Sequence, residues 1–558
     1  MIFALPPFRA LAWYNQPMTQ FDLMICGAGV GGVAAALAAA RCGRRVLLSD
    51  PCLWVGGQLT SQAVPPDENP WIETHGGTRS YRQFREGVRS YYRSHFPLTA
   101  DARANPLLNP GLGYVSRLCH EPRVALAVLE AMLAPHISSG MITLLPRHVP
   151  AAASVQNDCV THVVLLSLET GTAHEYSASF VLDATETGDL LPLAGAEYVV
   201  GAESQDDTDE PHARPGPARP QAQQGATHCF ALSYHPGEDH TIDKPATYDF
   251  WRGYTPSFWP GPLLGWTDLH PFTNEPRTHS LFGPSDDPDG FTPDGDYVWG
   301  QQGLWHYRRL RARRQFVPDA PEITLVNWPM NDYWLKPLFD DAKPTGAGHA
   351  LLNALPEALA EASALSLSLL YWLQTEAPHP TGNSAGYPGL KLRPDLVGTT
   401  DGLAQHIYVR ESRRIVGETR VVEQDIAADL RPSARDYADS VGIGCYRIDL
   451  HPTVDGNPFV DIGCHPFQIP LGALLPVRLD NLLPACKNLA VTHITNGAFR
   501  LHPVEWAIGE ASGLLACYCL AHSIPPRQVR ADPKRLEAFQ ALLTAHGVPY
   551  KWPSVYPV

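Results

Sequence analysis

Three glycines near the start of the chain have the spacing of a phosphate-binding turn. Gly27, Gly29 and Gly32 form the pattern G-x-G-x-x-G directly after the apolar run 21–26. The first glycine permits a tight turn, the second lets the backbone approach a diphosphate, and the third lets a helix pack on the strand. Asp50 lies where such folds carry an acid for a ribose hydroxyl. The pattern predicts a dinucleotide site with the contacts Gly27, Gly29, Gly31, Gly32 and Asp50.

Two later segments indicate that the dinucleotide is FAD rather than NAD. A second glycine pair follows Asp50, in the region where large flavoproteins carry the chain past the ribose and the flavin. Residues 183–189 (DATETGD) resemble the turn with which flavoproteins return to the dinucleotide at a strand end. No second G-x-G-x-x-G has a flanking strand and helix, so the sequence supports one dinucleotide. The further predicted contacts are Gly56, Gly57, Gln58, Ala184, Thr185, Gly188 and Asp189.

The segment 488–513 has the pattern of a final strand and helix that run past a flavin. Residues 488–492 predict the strand, 493–502 predict a connecting loop, and Pro503 occupies the first position of the helix. A helix N-terminus carries about half a positive charge, which suits the flavin edge where negative charge builds on reduction. We therefore expect Asn496, Gly497 and Pro503 to contact the cofactor.

Histidines and an arginine in this loop are candidates for the substrate chemistry. Removal of a hydride from a carbon that carries a hydroxyl or an amine needs a base for the heteroatom proton, and histidine suits this near neutral pH. His502 is the predicted base, because an N-cap position disfavours the protonated ring, and His493 is its competitor. Arg500 could stabilise reduced flavin or hold a substrate carboxylate. Ordinary packing or ion pairing explains each residue equally well, and His451 and His75 are reserve candidates.

A polar segment, 327–333 (NWPMNDY), follows the predicted strand 322–326. It crowds amide, carboxylate and aromatic groups into seven residues, as the wall of a polar substrate site would, although a hydrogen-bonded turn explains it equally well. The predicted substrate contacts are Asn327, Trp328, Asn331, Asp332 and Tyr333. We predict no metal ligands.

The elements that must position these residues follow from the apolar pattern. Residues 21–26, 30–42 and 45–49 predict a strand, an alanine-rich helix and a second strand, which together form a βαβ unit. Residues 148–184 predict a β-meander, and the acidic, proline-rich segment 200–224 predicts a solvated loop. The other ranges with helical spacing are 78–94, 122–138, 297–316, 350–375, a long helix from about 503, and 533–546.

These elements predict an α/β protein with a Rossmann-type FAD-binding domain that is split in sequence by an inserted α+β substrate domain. The predicted segments are an N-terminal appendage at 1–17, the first part of the FAD-binding domain at 18–200, a flexible loop and the substrate domain at 201–405, the return of the FAD-binding domain at 406–522, and a C-terminal helix and tail at 523–558.

Charge and composition exclude some partners. The 558 residues include 42 Lys and Arg against 57 Asp and Glu, a formal net charge of −15, which does not provide the basic surface that nucleic-acid phosphates require. No apolar run approaches the roughly 18–20 residues of a membrane span. Eleven scattered cysteines without a CxxC pair favour a reducing compartment. We expect a soluble, cytoplasmic protein that binds neither nucleic acid nor membrane, and the oligomeric state stays open.

Seven motifs resemble those of the FAD-dependent oxidoreductases of the glutathione-reductase-like flavoprotein superfamily, in particular a bacterial family with a W-x-GGQ-x-T element. The resemblance covers about residues 20–522, and it departs at Asp50, where glutamate is usual. The motifs are WVGGQLT at 54–60, GYVSR at 113–117, DATETGD at 183–189, NWPMNDY at 327–333, RESRR at 410–414, IDLH at 448–451 and FQIP at 467–470.

The predicted FAD site and the candidate bases together favour an FAD-dependent dehydrogenase or oxidase that takes a hydride from a carbon bearing a hydroxyl or an amine in a polar small molecule, whereas the resemblance does not specify the substrate. The alternatives are a flavoprotein that catalyses a non-redox isomerisation or elimination, and a flavin monooxygenase. The electron acceptor stays open among oxygen, a quinone and another carrier. We expect noncovalent FAD, with His75 and Cys119 as the residues that a covalent link could use.

Overall fold

The structure, a computed structural model, describes residues 20–282, 303–317, 321–339, 355–379, 385–553 and 555–558. The predicted appendage at 1–17 therefore lies outside the described residues. The strands are β1 (Gln20–Cys26), β2 (Val46–Asp50), β3 (Ile142–Pro146), β4 (His148–Gln156), β5 (Cys159–Ser167), β6 (Ala173–Asp183), β7 (Tyr198–Val199), β8 (Ala226–Thr227), β9 (Phe230–Tyr234), β10 (Thr267–Leu269), β11 (Pro276–Thr278), β12 (Arg309–Arg311), β13 (Ile323–Val326), β14 (Asp332–Tyr333), β15 (Leu390–Leu392), β16 (Arg414–Ile415), β17 (Ser440–Gly444), β18 (Ile448–Leu450), β19 (Val460–Ile462), β20 (Phe467–Pro470) and β21 (Leu482–Pro484).

The helices alternate with these strands along the chain. They are α1 (Val30–Arg41), α2 (Arg79–His95), α3 (Ala100–Ala104), α4 (Pro122–Ser138), α5 (Leu190–Leu193), α6 (Gln205–Thr208), α7 (Tyr248–Gly253), α8 (Leu304–Tyr307), α9 (Leu355–Thr375), α10 (Pro394–Val397), α11 (Glu423–Ile426), α12 (His493–Phe499), α13 (His502–His522), α14 (Pro526–Ala531) and α15 (Pro533–His546). Within the described ranges, no helix combines the length and the apolar character that a bilayer crossing requires.

A parallel sheet carries the first βαβ unit and is completed by a strand from near the end of the chain. Its order is β3-β2-β1-β6, and β21 pairs with the outer side of β6 at Val181–Asp183. The first half of β6 pairs instead with β5 and β4 in an antiparallel meander. Because β1 and β21 are more than 450 residues apart yet share β6, the Rossmann-type domain is split in sequence, as predicted.

Helices α1 and α13 cross at a contact that only glycine permits. A Cβ on Gly31 would lie 1.8 Å from the Ala485 carbonyl oxygen, and one on Gly509 would lie 1.9 Å from the Gly31 carbonyl oxygen. The alanine-rich face of α1 is buried against α13. This close approach holds the start of α13 beside the glycine turn that follows β1.

A second, antiparallel sheet lies between β6 and β21 in sequence. Its order is β12-β13-β9-β15, and α9 packs near it over an apolar core that is rich in tryptophan and tyrosine. The aromatic density of residues 225–400 therefore forms core as well as cavity wall. Strand β13 of this sheet ends at Val326, directly before the polar segment 327–333.

Four local predictions differ from the structure. The last strand of the parallel sheet is Leu482–Pro484 rather than 488–492, and the predicted loop 493–502 is largely the helix His493–Phe499. The described part of 297–316 holds a four-residue helix, a short strand and a 3-10 turn at Arg313–Gln315 rather than a long helix. Residues 200–224 are only in part a solvated loop, because 215–218 are exposed whereas Glu210, Gln223 and Gln224 are buried against other segments. Composition alone misled here, since charged and amide side chains are buried when they find partners.

Candidate active site

The predicted glycine turn forms a cradle at the carboxyl end of β1. Gly27 has a φ of +97°, and a Cβ there would lie 2.1 Å from the Ala184 carbonyl oxygen. Gly29 is the N-cap of α1, and a Cβ on Gly32 would lie 1.9 Å from the Gly27 carbonyl oxygen. The turn therefore needs glycine for its own geometry, and it presents the N-terminus of α1 to an anion.

Asp50 ends β2 beside this cradle. Its Oδ2 accepts a hydrogen bond from the Ala28 amide at 2.7 Å, and its Oδ1 accepts one from the Cys52 amide at 2.8 Å. Burial raises the pKa of this carboxyl to about 7, although the two amides oppose the shift. Each oxygen keeps a second lone pair, so Asp50 can still accept a ribose hydroxyl.

The other two predicted cofactor segments meet the glycine turn. The Gly56 amide donates to the Ala28 carbonyl at 2.7 Å, and Gly57 packs directly against Gly29. In the turn 183–189, Thr185 Oγ1 donates to Asp183 Oδ1 at 2.7 Å and accepts the Asp189 amide at 2.7 Å. Gly188 has a φ of +66°, which the turn requires. Hydrogen bonds within the segment thus fix its shape.

These segments enclose a cavity of about 40 Å³, which we call the cradle cavity. Seven of the predicted cofactor residues line it. The predicted residues that do not line it are Gly31, Gly32, Gly56, Gln58 and Gly188. Gln58 Oε1 and both polar atoms of Gln62 are buried with no partner among the described residues, so the cradle holds amide groups for a polar ligand. The donor set fits a dinucleotide. The predicted lining residues are Gly27, Gly29, Asp50, Gly57, Ala184, Thr185 and Asp189.

A buried ion triad beside the cradle escaped prediction. Lys487 Nζ lies 2.5 Å from Glu186 Oε2 and 3.2 Å from Glu505 Oε1, and the lysine is fully buried. Burial raises the pKa of Glu505 to about 7, although Lys487 opposes the shift. Glu186 reaches Gly29, so Lys487 offsets a negative charge next to the anion-binding turn. The three residues lie 301 and 18 positions apart, and no local pattern links them.

His493 is part of a buried ion network. Its Nδ1 lies 3.0 Å from both oxygens of Glu411, and its amide donates to Glu203 at 2.8 Å. Glu411 also binds Arg414 at 2.5 Å. Burial opposes ionisation, but His493 and Arg414 hold the pKa of Glu411 at about 2, and Glu411 raises the pKa of His493. A protonated ring in this pair has no lone pair with which to accept a substrate proton.

His502 lies behind the cavity walls. Its Nδ1 accepts the Asp67 amide at 3.1 Å, and the side chain is fully buried. Burial, and then the charge of Arg308, lower its pKa well below the ordinary value. Leu501 is the N-cap of α13, so His502 and Pro503 lie one position further into the helix than the sequence predicts. The neutral ring was predicted, but it lines neither cavity.

The predicted flavin contacts of the same segment serve the backbone. Asn496 Nδ2 donates to the Lys487 carbonyl at 3.1 Å. A Cβ on Gly497 would lie 2.8 Å from the Asp449 amide, so the glycine lets α12 approach β18. Neither of these residues nor Pro503 lines a cavity, and their cofactor contact stays a prediction.

A second cavity of about 230 Å³, which we call the large cavity, lies beside the cradle. Residues 57–67 connect the two, because Gly57 lines the cradle cavity and Asp67 lines the large one. Gln58 Nε2 donates to the carbonyl of Arg500, a large-cavity residue, at 3.0 Å. The ionisable residues of the wall include Arg277, Arg308, Arg410, Arg447, Arg500, Asp67, Asp449, Asp461, His279 and His451.

The segment 327–333 contributes Asn327 and Pro329 to this wall, and its other residues support the wall. Asn327 lines the large cavity, whereas Trp328 is buried and does not. Asn331 Oδ1 accepts the Trp328 amide at 2.9 Å, and Tyr333 OH donates to Glu361 at 2.5 Å. The segment therefore acts in part as the hydrogen-bonded turn of the alternative interpretation.

Asp332 connects this segment to His451 and Arg410. Its Oδ2 lies 2.5 Å from His451 Nδ1, its Oδ1 lies 3.0 Å from Arg410 Nη2, and Thr227 Oγ1 also donates to Oδ1. Burial works against ionisation, but Arg410 and His451 hold the pKa of Asp332 below its ordinary value. Burial, then Arg410, lower the pKa of His451. The wall thus holds a neutral imidazole that is oriented by a carboxylate.

A His–Glu cluster lies on a turn outside both cavities. Potential ligand atoms of His235, Glu238 and His240 lie within 4.8 Å of one another. Glu238 is 56% exposed in its side chain and already binds His240 at 2.6 Å, so the cluster is an ion-paired surface turn.

The sequence profile of the FAD dependent oxidoreductase family matches residues 22–543. The chain belongs to this family. It is an FAD-dependent oxidoreductase, and FAD is its cofactor, as predicted. The cradle is where Asp50 and the glycine turn would hold the adenosine diphosphate part.

Several solved structures have partial similarity to this chain. OxyS anhydrotetracycline hydroxylase from Streptomyces rimosus is 16% identical over 41% of this chain and 39% of that chain, with a TM-score of 0.21. Glycerol-3-phosphate dehydrogenase from Bacillus halodurans, complexed with FAD, is 12% identical over 39% of this chain and 40% of that chain, also with a TM-score of 0.21. The chain thus spans about two fifths of these proteins. Among curated proteins, no sequence matches it.

Proposed function

We propose that this oxidoreductase takes a hydride from a carbon that carries a hydroxyl or an amine in a polar small molecule, and that His451 is the base. The observation that carries the proposal is the contact between His451 and Asp332 in the wall of the large cavity. His451 was a reserve candidate in the sequence, and it replaces His502 here because His502 does not reach either cavity.

The state of His451 follows from its two neighbours. An ionised Asp332 can only accept, so the ring donates its Nδ1–H to Asp332 and keeps the lone pair on Nε2. Nε2 lies 3.8 Å from Asp449 Oδ2, which is too far for a hydrogen bond. Nε2 is therefore free to take the heteroatom proton, and Asp332 then stabilises the imidazolium that forms.

His451 is favoured over His279, the other histidine of the wall. His279 also contacts a buried carboxylate, with Nε2 at 2.9 Å from Asp268 Oδ1. Only His451 approaches Asp449, the carboxylate that binds Arg500, and the carbonyl of Arg500 binds Gln58 beside the cradle. His451 is thus linked to the cofactor side of the cavity. Bound FAD supplies the two-electron acceptor.

The test measures reduction of bound flavin under anaerobic conditions in four variants. His451→Gln should slow reduction about 10²–10⁴-fold, the range for a positioned base, and should keep its FAD. Asp332→Asn should slow it as well, because a neutral amide can favour the wrong tautomer. His279→Gln is the matched control in the same wall, and His502→Ala tests the prediction made from sequence.

The outcome distinguishes the candidates. A wild-type rate in His451→Gln, together with a slow rate in His279→Gln or His502→Ala, would move the base to that residue. Turnover without any reduced flavin would favour the isomerisation or elimination alternative, and a requirement for NAD(P)H and oxygen would favour a monooxygenase. A cytoplasmic location also remains our proposal; all eleven cysteines are free thiols, which suits a reducing compartment.

A further inference from the structure

The wall of the large cavity has spare hydrogen-bond donors. Arg308 Nε, Arg410 Nε, Arg500 Nε and Asn327 Nδ2 are buried with no partner among the described residues. Each of the four side chains belongs to a residue that is at least nine-tenths buried and lines the cavity. Buried donors are normally satisfied, so four unsatisfied ones in a single wall point to a ligand that brings acceptors.

The carboxylates of the wall are already engaged. Asp67 binds Arg308 at 3.3 Å, Asp449 binds Arg500 at 3.0 Å, and Asp461 binds Arg447. None of their oxygens is among the buried atoms that lack a partner. Each of these three carboxylates thus has an arginine partner, whereas the Nε groups of Arg308, Arg410 and Arg500 have none among the described residues, which favours an anionic ligand over an amine.

Two of these arginines flank the proposed base. Arg500 Nη2 lies 3.0 Å from Asp449 Oδ2, and His451 Nε2 lies 3.8 Å from the same oxygen. On the other side, Arg410 and His451 share Asp332, at 3.0 and 2.5 Å. An anionic group that binds Arg410 or Arg500 is thus only a short distance from the group that gives its proton to Nε2.

We propose that the substrate is a 2-hydroxy or 2-amino carboxylate, a class that deepens the proposed function and rests on it. Arg410 and Arg500 would bind the carboxylate through their spare Nε–H groups, because a hydrogen bond between a guanidinium and a carboxylate is charge-assisted and strong. The hydroxyl or amine on the adjacent carbon then faces His451. The cavity also has six aromatic residues, which suit an apolar or ring-shaped side group; they are Tyr114, Tyr307, Tyr408, Tyr446, Phe272 and Phe459.

The reaction balances with FAD as the oxidant. The C2–H bond breaks, and its hydrogen leaves with both electrons as hydride to the flavin. The hydroxyl or amine proton passes to His451 Nε2, and a C=O or C=N double bond forms at C2. The products are a 2-oxo or 2-imino carboxylate and reduced FAD, and the carboxylate itself is unchanged.

The experiment titrates the oxidised holoenzyme with matched ligand pairs and follows flavin absorbance and thermal stability. The pairs are mandelate against 1-phenylethane-1,2-diol and phenylalanine against phenylalaninol, with phenyl phosphate as an anion of different shape. At least one carboxylate should bind ten-fold or more tightly than the partner that lacks the carboxylate. The proposal is overturned if the two ligands bind with comparable affinity in both pairs. It is also overturned if neither carboxylate binds at concentrations up to about 10 mM.

Variants locate the binding site. Arg410→Lys and Arg500→Lys keep the positive charge but lose the Nε–H donor, so each should weaken carboxylate binding at least ten-fold while FAD content stays near that of the wild type. Arg500→Gln is the second variant at the same position. Arg478→Gln, a surface arginine paired with Glu197 and Asp158, is the control and should bind like the wild type. Unchanged affinity in both lysine variants overturns the assignment.

The failures of the two proposals differ. Carboxylate binding that depends on Arg410 and Arg500, without flavin reduction, would remove the hydride-transfer function and leave an anion site. Neutral alcohols that reduce the flavin through His451, without carboxylate binding, would keep the function and remove the substrate class. Phenyl phosphate that binds as tightly as mandelate would show a general anion site and overturn the carboxylate assignment.

Discussion

We predict that Asp50 makes FAD affinity depend on pH, and the direction follows from the burial of its carboxyl. In the protein alone, burial raises the pKa of its carboxyl to about 7. A ribose that donates hydroxyl hydrogen bonds to the carboxylate favours the ionised form, so the pKa in the complex lies lower. A group with a lower pKa in the bound state favours binding above the pKa of the free state, and this contribution is lost as the pH falls.

The size of the effect follows from the ionised fraction. At pH 8 about nine tenths of a group with a pKa near 7 is ionised, whereas at pH 5 only about one hundredth is. If the complex has a pKa below 5, affinity for FAD should fall about 100-fold between pH 8 and pH 5, or about 2.7 kcal/mol at 1.36 kcal/mol per pKa unit. In Asp50→Asn, this part of the pH dependence should vanish.

The assay measures FAD dissociation constants of apoprotein from pH 5 to 8 by flavin fluorescence. Glu505 titrates beside the cradle in both proteins, so the difference between wild type and Asp50→Asn isolates Asp50. Glu210→Gln is the matched control, because burial also raises the pKa of Glu210 to about 7, but it lines neither the cradle cavity nor the large one. Parallel pH curves for wild type and Asp50→Asn would refute the reasoning.

Three further predictions test the cradle and its support. Gly509→Ala places a Cβ 1.9 Å from the Gly31 carbonyl oxygen, so it should lower the free energy of unfolding by about 1–3 kcal/mol or more. FAD content and melting temperature should both fall. In the control Gly253→Ala, the added Cβ meets nothing within 4 Å, so neither quantity should change. Glu411→Gln breaks the buried pair with His493 and should lower the melting temperature by several degrees at pH 7. This difference from the wild type should shrink as the pH falls through about 4.5 towards 2, because the wild-type carboxyl then protonates as well. A difference that stays constant over this pH range would contradict the prediction. Acid precipitation should release the FAD, and a yellow pellet would show a covalent link.

Much of the fold could be predicted because its signals are local. The βαβ unit at 20–50 and the helices α2, α4, α9, α13 and α15 all have apolar patterns with the right period and plausible caps. The errors fell where partners decide the structure. The segment 493–499 contains β-branched and polar residues, yet a Thr492–Thr495 capping box and burial against β18 make it helical.

The candidate site shows the same contrast: local motifs predict the cofactor residues, but they do not identify the base. The cradle residues come from three contiguous motifs, and each motif has a backbone requirement that glycine or aspartate reveals. The value of a histidine as a base depends instead on what its second nitrogen contacts. His502 has a neutral ring but meets a backbone amide, whereas His451 meets Asp332, which lies 119 residues away. The contact with Asp332 fixes the tautomer that leaves Nε2 of His451 free. Because this contact joins residues that are distant in sequence, the spacing of residues near either histidine does not predict which one has a free nitrogen.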